Sequence, residues 1–122
     1  MIRKLLMSVF TIFAILSFSG ISDAATVITK KEVTISYGEE TKSTAPVYLY
    51  AGQILGVYVD ISSTSGKTHW FIRDSNNIII KEGTTDANFT TGAPVGEYRL
   101  YFSCGSVDLN CSAKGILSTQ QP

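Results

Sequence analysis

The chain is poor in the residues that catalysis and metal binding usually draw on. Its 122 residues include one histidine, two cysteines and only 16% charged side chains, with a formal net charge of zero. Imidazole chemistry would have to use His69, which sits on a predicted strand beside Trp70. Asp60, Asp74, Ser62, Ser63 and Ser65 could in principle supply triad partners, but no nucleophile-elbow pattern surrounds any of these serines, so a structural role is expected for His69. Glycoside hydrolysis needs two carboxylates set across a cleft, and the acids here are scattered. Two cysteines are too few for a thiolate metal site. The balanced charge gives no electrostatic reason to expect a nucleic acid or an anionic membrane as partner. No apolar run after Phe18 is long enough to cross a bilayer. Amphipathic-helix spacing, internal repeats and low-complexity tracts are also missing.

What the chain does have begins with a leader. Arg3 and Lys4 precede an apolar run over residues 5–18, and Ser22-Asp23-Ala24 then puts small residues at the −3 and −1 positions of a cut before Ala25. This is the tripartite pattern of a secretory signal peptide, and its short, Ser-rich form suggests a bacterial source. Residues 1–24 are therefore expected to be removed, leaving 25–122 as one domain with eight basic and nine acidic residues. An exported chain with two cysteines is expected to join them, here Cys104 to Cys111. Closing so short a loop contributes about 2.5 kcal/mol on the chain-entropy estimate. Asn88-Phe89-Thr90 and Asn110-Cys111-Ser112 match a glycosylation sequon, which matters only in a eukaryotic secretory pathway.

The organising stretch runs from Gly96 to Cys104. It follows the turn Ala93-Pro94-Val95 and alternates Tyr98, Leu100 and Phe102 with Glu97, Arg99 and Tyr101, the pattern of a half-buried strand. Similar alternation predicts one long strand over 27–37, or two with a break near Lys30-Lys31, and strands over 47–50, 54–61 and 68–73. In the fourth of these Trp70 and Ile72 are expected to face inward. Asp74-Ser75-Asn76-Asn77 has the residues of a tight turn and predicts a hairpin into Ile78-Ile79-Ile80. Short strands follow at 88–91 and 112–117. The polar segments 38–45 and 118–122 are read as a loop and a fraying tail. About eight short strands with a turn every 8–12 residues or so point to an antiparallel sandwich or barrel, and the expected fold is an all-β antiparallel β-sandwich.

The segment Val47-Tyr48-Leu49-Tyr50-Ala51-Gly52-Gln53-Ile54-Leu55 resembles the opening of small secreted jelly-roll domains of the bacterial pre-peptidase C-terminal type and of GOLD-like sandwiches. The similarity continues through Phe71-Ile72-Arg73-Asp74 to Phe89 and Gly96-Glu97-Tyr98-Arg99-Leu100. It implies a jelly-roll-like arrangement and an accessory or binding role beside secreted enzymes. This chain differs in standing alone and in its Cys104–Cys111 loop. Domains of this kind sometimes hold Ca2+ through loop oxygens, which draws attention to Asp74, Asn76 and Asn77 and to Asp86 and Asn88. Turn chemistry accounts for Asp74 and both asparagines without an ion, so no cofactor is expected.

Tyr48, Tyr50, Tyr58 and Tyr101 fall opposite apolar neighbours in their strands. Exposed tyrosines on a sheet stack on sugars or seed protein interfaces. Together with Arg99 they form the candidate binding set, for an envelope glycan or an extracellular protein. The expected function is non-enzymatic binding or structural work outside the cytoplasmic membrane. The alternatives are a small secreted hydrolase or hydrolase inhibitor, and a self-assembling matrix or coat subunit.

Overall fold

Alternating side chains build strands throughout the computed structural model, which describes residues 26–62, 67–105 and 107–122. The leader expected over residues 1–24 lies outside them. Regular structure among the described residues is all β: β1 (Thr26–Ile35), β2 (Thr41–Ser43), β3 (Val47–Leu49), β4 (Ile54–Ile61), β5 (Thr68–Asp74), β6 (Ile79–Gly83), β7 (Ala87–Thr91), β8 (Gly96–Cys104) and β9 (Ala113–Gln121). They form two antiparallel sheets, ordered β1-β9-β4-β7 and β2/β3-β8-β5-β6. Both β2 and β3 pair with β8 and act as two halves of one edge strand.

Counted that way, the strands pair first with last, second with seventh, third with sixth and fourth with fifth. Such pairing is one long antiparallel hairpin rolled up so that successive pairs fall in opposite sheets. That is a jelly roll.

The inner phase of each strand supplies the core. In the first sheet it is Val33 and Ile35 on β1, Leu55, Val57 and Val59 on β4, and Ala113 and Leu117 on β9. The second sheet contributes Val47 and Leu49, Trp70 and Ile72, and Tyr98, Leu100 and Phe102. Trp70 and Ile72 point inward as the alternation requires. The Trp70 ring lies 6.0 Å from Phe89 across the sandwich, and its Nε1–H donates to the Thr85 carbonyl at 2.9 Å. Cys104 and Cys111 are bonded, with Cα atoms 5.7 Å apart, and tie the end of β8 to the start of β9.

The polar stretches depart from expectation. Residues 118–121 do not fray but continue β9, which pairs with β1 on one side and β4 on the other. Thr119 is fully buried and Ser118 nearly so. Two backbone ladders, not apolar side chains, hold this segment. Within the expected loop 38–45, residues 41–43 form β2 on the same principle. Thr44 then interrupts the edge: its N–H donates to the Leu100 carbonyl at 2.9 Å and its Oγ1 accepts the Leu100 N–H at 3.1 Å. Pro46, without an N–H, follows. β1 runs unbroken through Lys30 and Lys31, and its irregularity is a bulge at Ile28.

Gly115 sits on the inner face of β9, facing Leu100 and Phe102 of β8 in the other sheet. A Cβ there would lie 2.7 Å from Leu100 Cδ2 and 2.9 Å from Phe102 Cζ, both fully buried and hemmed in. Gly115→Ala is therefore expected to destabilise by about 1–3 kcal/mol through overpacking. At Gly92 nothing lies within 4 Å of an added Cβ, so Gly92→Ala should stay within about 0.5 kcal/mol of the parent. Urea denaturation of the two variants checks this, and equal effects would contradict the close approach.

Candidate functional site

Cross-strand partners share a face of the sheet, so the registers place each candidate residue. Tyr48 is opposite Glu97, Ser43 opposite Tyr101, Tyr101 opposite Phe71, and Arg99 opposite Arg73. All of these belong to the outer phase of the second sheet. Tyr50, just past β3, joins them, its ring centroid 4.6 Å from that of Tyr48. The backbone N–H of Tyr50 donates to Gln53 Oε1, which fixes the turn carrying this ring. Four of the five predicted residues, Tyr48, Tyr50, Arg99 and Tyr101, thus lie on one outer face.

Tyr58 does not join them. It sits on β4 opposite Asn88 and Ile116, on the outer face of the other sheet. Alternation places a side chain in or out within its strand, but strand order decides which sheet carries it.

Two residues that sequence reasoning did not select lie at the centre of the face. Phe71 is in the outer phase yet only 7% exposed. Its ring stacks on Tyr101 with centroids 5.2 Å apart and planes 1° from parallel. The Arg73 guanidinium lies over both rings, 5.0 Å from the Phe71 centroid and 5.5 Å from that of Tyr101. Tyr48 and Tyr50 remain open to solvent, at 44% and 61%. The signal for Phe71 and Arg73 was their i, i+2 spacing in the outer phase of β5, but it acquires meaning only once β5 is paired with β8.

Arg73, Arg99 and Tyr101 border a shallow depression of about 160 Å³, together with Asp74, Glu97 and Tyr98. Asp74 Oδ1 accepts the N–H groups of Asn76 at 2.9 Å and Ile78 at 3.0 Å, and Asn77 adopts φ 64° to complete the turn. A larger depression, about 260 Å³, lies along β4 and β7 beside Asp60 and Asp86. There Asp86 Oδ1 accepts the Ile61 N–H at 2.8 Å. Asp74 is therefore engaged in its own turn, and Asp86 in a long-range bond to the backbone of β4. Among the described residues, no three His, Cys, Asp or Glu side chains are grouped to hold a metal.

His69 also belongs to the outer face of β5, with Nε2 2.9 Å from Glu82 Oε1. Both side chains are open to solvent, so the pair contributes little to stability. Ser62 Oγ is engaged with Ser112, while Ser63 and Ser65 lie outside the described residues.

Comparison with models of known families finds none that matches this chain, and a search of curated proteins finds no relative.

Tyr98 supports the depression from below. Its hydroxyl donates to the Pro94 carbonyl. Burial of the phenol, and secondarily the Asp74 charge, hold its pKa above the ordinary tyrosine value. A raised folded pKa means that this stabilisation is intact below about pH 10, the unfolded value, and is lost as pH rises through the folded one. Stability is expected to fall in that alkaline range. Tyr98→Phe should flatten the fall while losing about 1 kcal/mol at neutral pH with the hydrogen bond. Denaturation midpoints across the alkaline range check this, and an undiminished fall in Tyr98→Phe would contradict it.

Proposed function

We propose that the protein is an exported, non-enzymatic carbohydrate-binding module acting outside the cytoplasmic membrane through the outer face of its second sheet. The observation that carries the reading is the run of aromatic rings on that face: Tyr48 against Tyr50, then Tyr101 stacked on Phe71 beneath Arg73. A sugar ring presents an apolar C–H face and a rim of hydroxyls. Aromatic faces separated by charged and hydroxyl side chains complement both. A protein partner would favour a dry apolar centre. Here Glu97, Arg99, Arg73 and His69 lie among the rings instead.

The alternatives have less support. A hydrolase needs its acid and base in a site that excludes water, whereas His69 and Glu82 are paired on an open surface. Self-assembly needs undefended sheet edges. β1 carries a bulge and Lys30, Lys31 and Glu32, the β2/β3 edge is broken at Pro46, and β6 has a bulge at Ile80 beside Lys81 and Glu82. β7 alone presents an edge free of charge, proline and bulge. The disulfide suits an oxidising compartment. An accessory role beside a secreted enzyme, as in the domains the sequence resembles, fits this proposal.

Affinity electrophoresis through soluble polysaccharides tests the reading. Replacing Tyr50 and Tyr101 together by Ala is expected to weaken retention by about tenfold or more, from roughly 0.5–1.5 kcal/mol per lost ring. Tyr58→Ala should leave retention unchanged. Capture of a protein instead, or undiminished retention of the double variant, would remove this face as the glycan surface.

A further inference from the structure

We infer that this glycan surface contains an anion subsite, formed by Arg73 and Arg99, and that the ligand is an acidic sugar bearing a ring carboxylate. The inference rests on the carbohydrate-binding reading and adds the chemical class of its ligand.

The register sets Arg73 directly opposite Arg99 on the same face. Like charges in that position destabilise a sheet. Among the described residues the ion pairs are Lys42 with Glu39 and His69 with Glu82, so neither arginine is neutralised by a salt bridge. A bound anion relieves the repulsion between them.

Arg73 is also held in place before any ligand arrives. Its guanidinium rests on the Phe71 and Tyr101 rings, and its Nε is closed off from solvent without a hydrogen-bond partner. Stacking on aromatic faces restricts the long side chain, so less freedom is lost on binding. Arg73 also borders the depression.

The size and chemistry of the depression narrow the ligand. At about 160 Å³ it is well below the roughly 300–1,000 Å³ of a pocket for a whole drug-sized ligand, so it accepts one acidic group and part of its ring. Asp74 borders it, but with Oδ1 committed to two backbone N–H groups. Glu97 also borders the depression, two residues before Arg99 on β8, and repels an anion at that end, which directs the acid toward the Arg73–Arg99 pair. A planar carboxylate matches the guanidinium fork with two parallel hydrogen bonds. Tyr101 on one side, and Tyr48 with Tyr50 on the other, then receive the sugar faces.

The test measures retention of the purified, oxidised protein in gels containing polygalacturonate, dextran or dextran sulfate, with thermal melts confirming that each variant is folded. Polygalacturonate is expected to retain the protein, Arg99→Ala to weaken retention at least tenfold, and Arg99→Lys to weaken it several-fold because the fork is lost while the charge stays. Wild-type retention of Arg99→Ala would overturn the subsite. So would equal retention by dextran sulfate combined with an unaltered Arg99→Lys, which indicates charge alone. Retention by dextran but not polygalacturonate would refute the anion subsite and leave the carbohydrate reading standing. No retention in any gel would end both.

Discussion

The close approach of β8 and β9 across the sandwich is the constraint on which the rest depends. Leu100 and Phe102 fill the space that Gly115 leaves open by having no side chain. β8 lies inside one sheet and β9 inside the other, and the Cys104–Cys111 bond ties the chain where it passes between them. A one-residue slip of either strand would turn its apolar set to solvent. The phase of both central strands is therefore fixed by packing, and the phases of their neighbours follow through the ladders.

The outer face is the other half of that constraint. Because Tyr98, Leu100 and Phe102 are committed inward, Glu97, Arg99 and Tyr101 stand outward in a row. Because Trp70 and Ile72 are committed inward, His69, Phe71 and Arg73 stand beside them. No extra device is needed to bring the two arginines together or to stack Tyr101 on Phe71. What packing does not dictate is the identity of the outward residues. An aromatic pair capped by one guanidinium and flanked by another is more than solubility requires, and this is where the argument for a ligand begins.

Much of the fold was legible because the core is written in period-2 alternation. The bounds of β4 and β8 follow from Ile54 to Ile61 and from Gly96 to Cys104 almost without ambiguity, and the turn at Asp74 from its own side-chain chemistry. The polar half of β9 and the short β2 were not legible. Ser118, Thr119 and Gln120 are ordered by ladders on both flanks, Gln121 by the one with β1, and Thr41 to Ser43 by one ladder with β8. Neither arrangement leaves a hydrophobic signature. The candidate site was legible by half. Alternation shows that Tyr48 and Tyr58 both leave the core, but not that they leave through opposite sheets. Phe71 looked like an ordinary strand residue, and Arg73 gains its role only from a partner 26 positions away in sequence.

The most direct test of the account is a map of where a soluble acidic oligosaccharide meets the protein, made by following backbone amide resonances as oligogalacturonate is added. The account predicts that perturbations gather at Tyr48, Tyr50, Arg73, Arg99 and Tyr101, on one face of one sheet. Perturbations centred on Tyr58, Asn88 and Ile116, or none at saturating oligosaccharide, would contradict it.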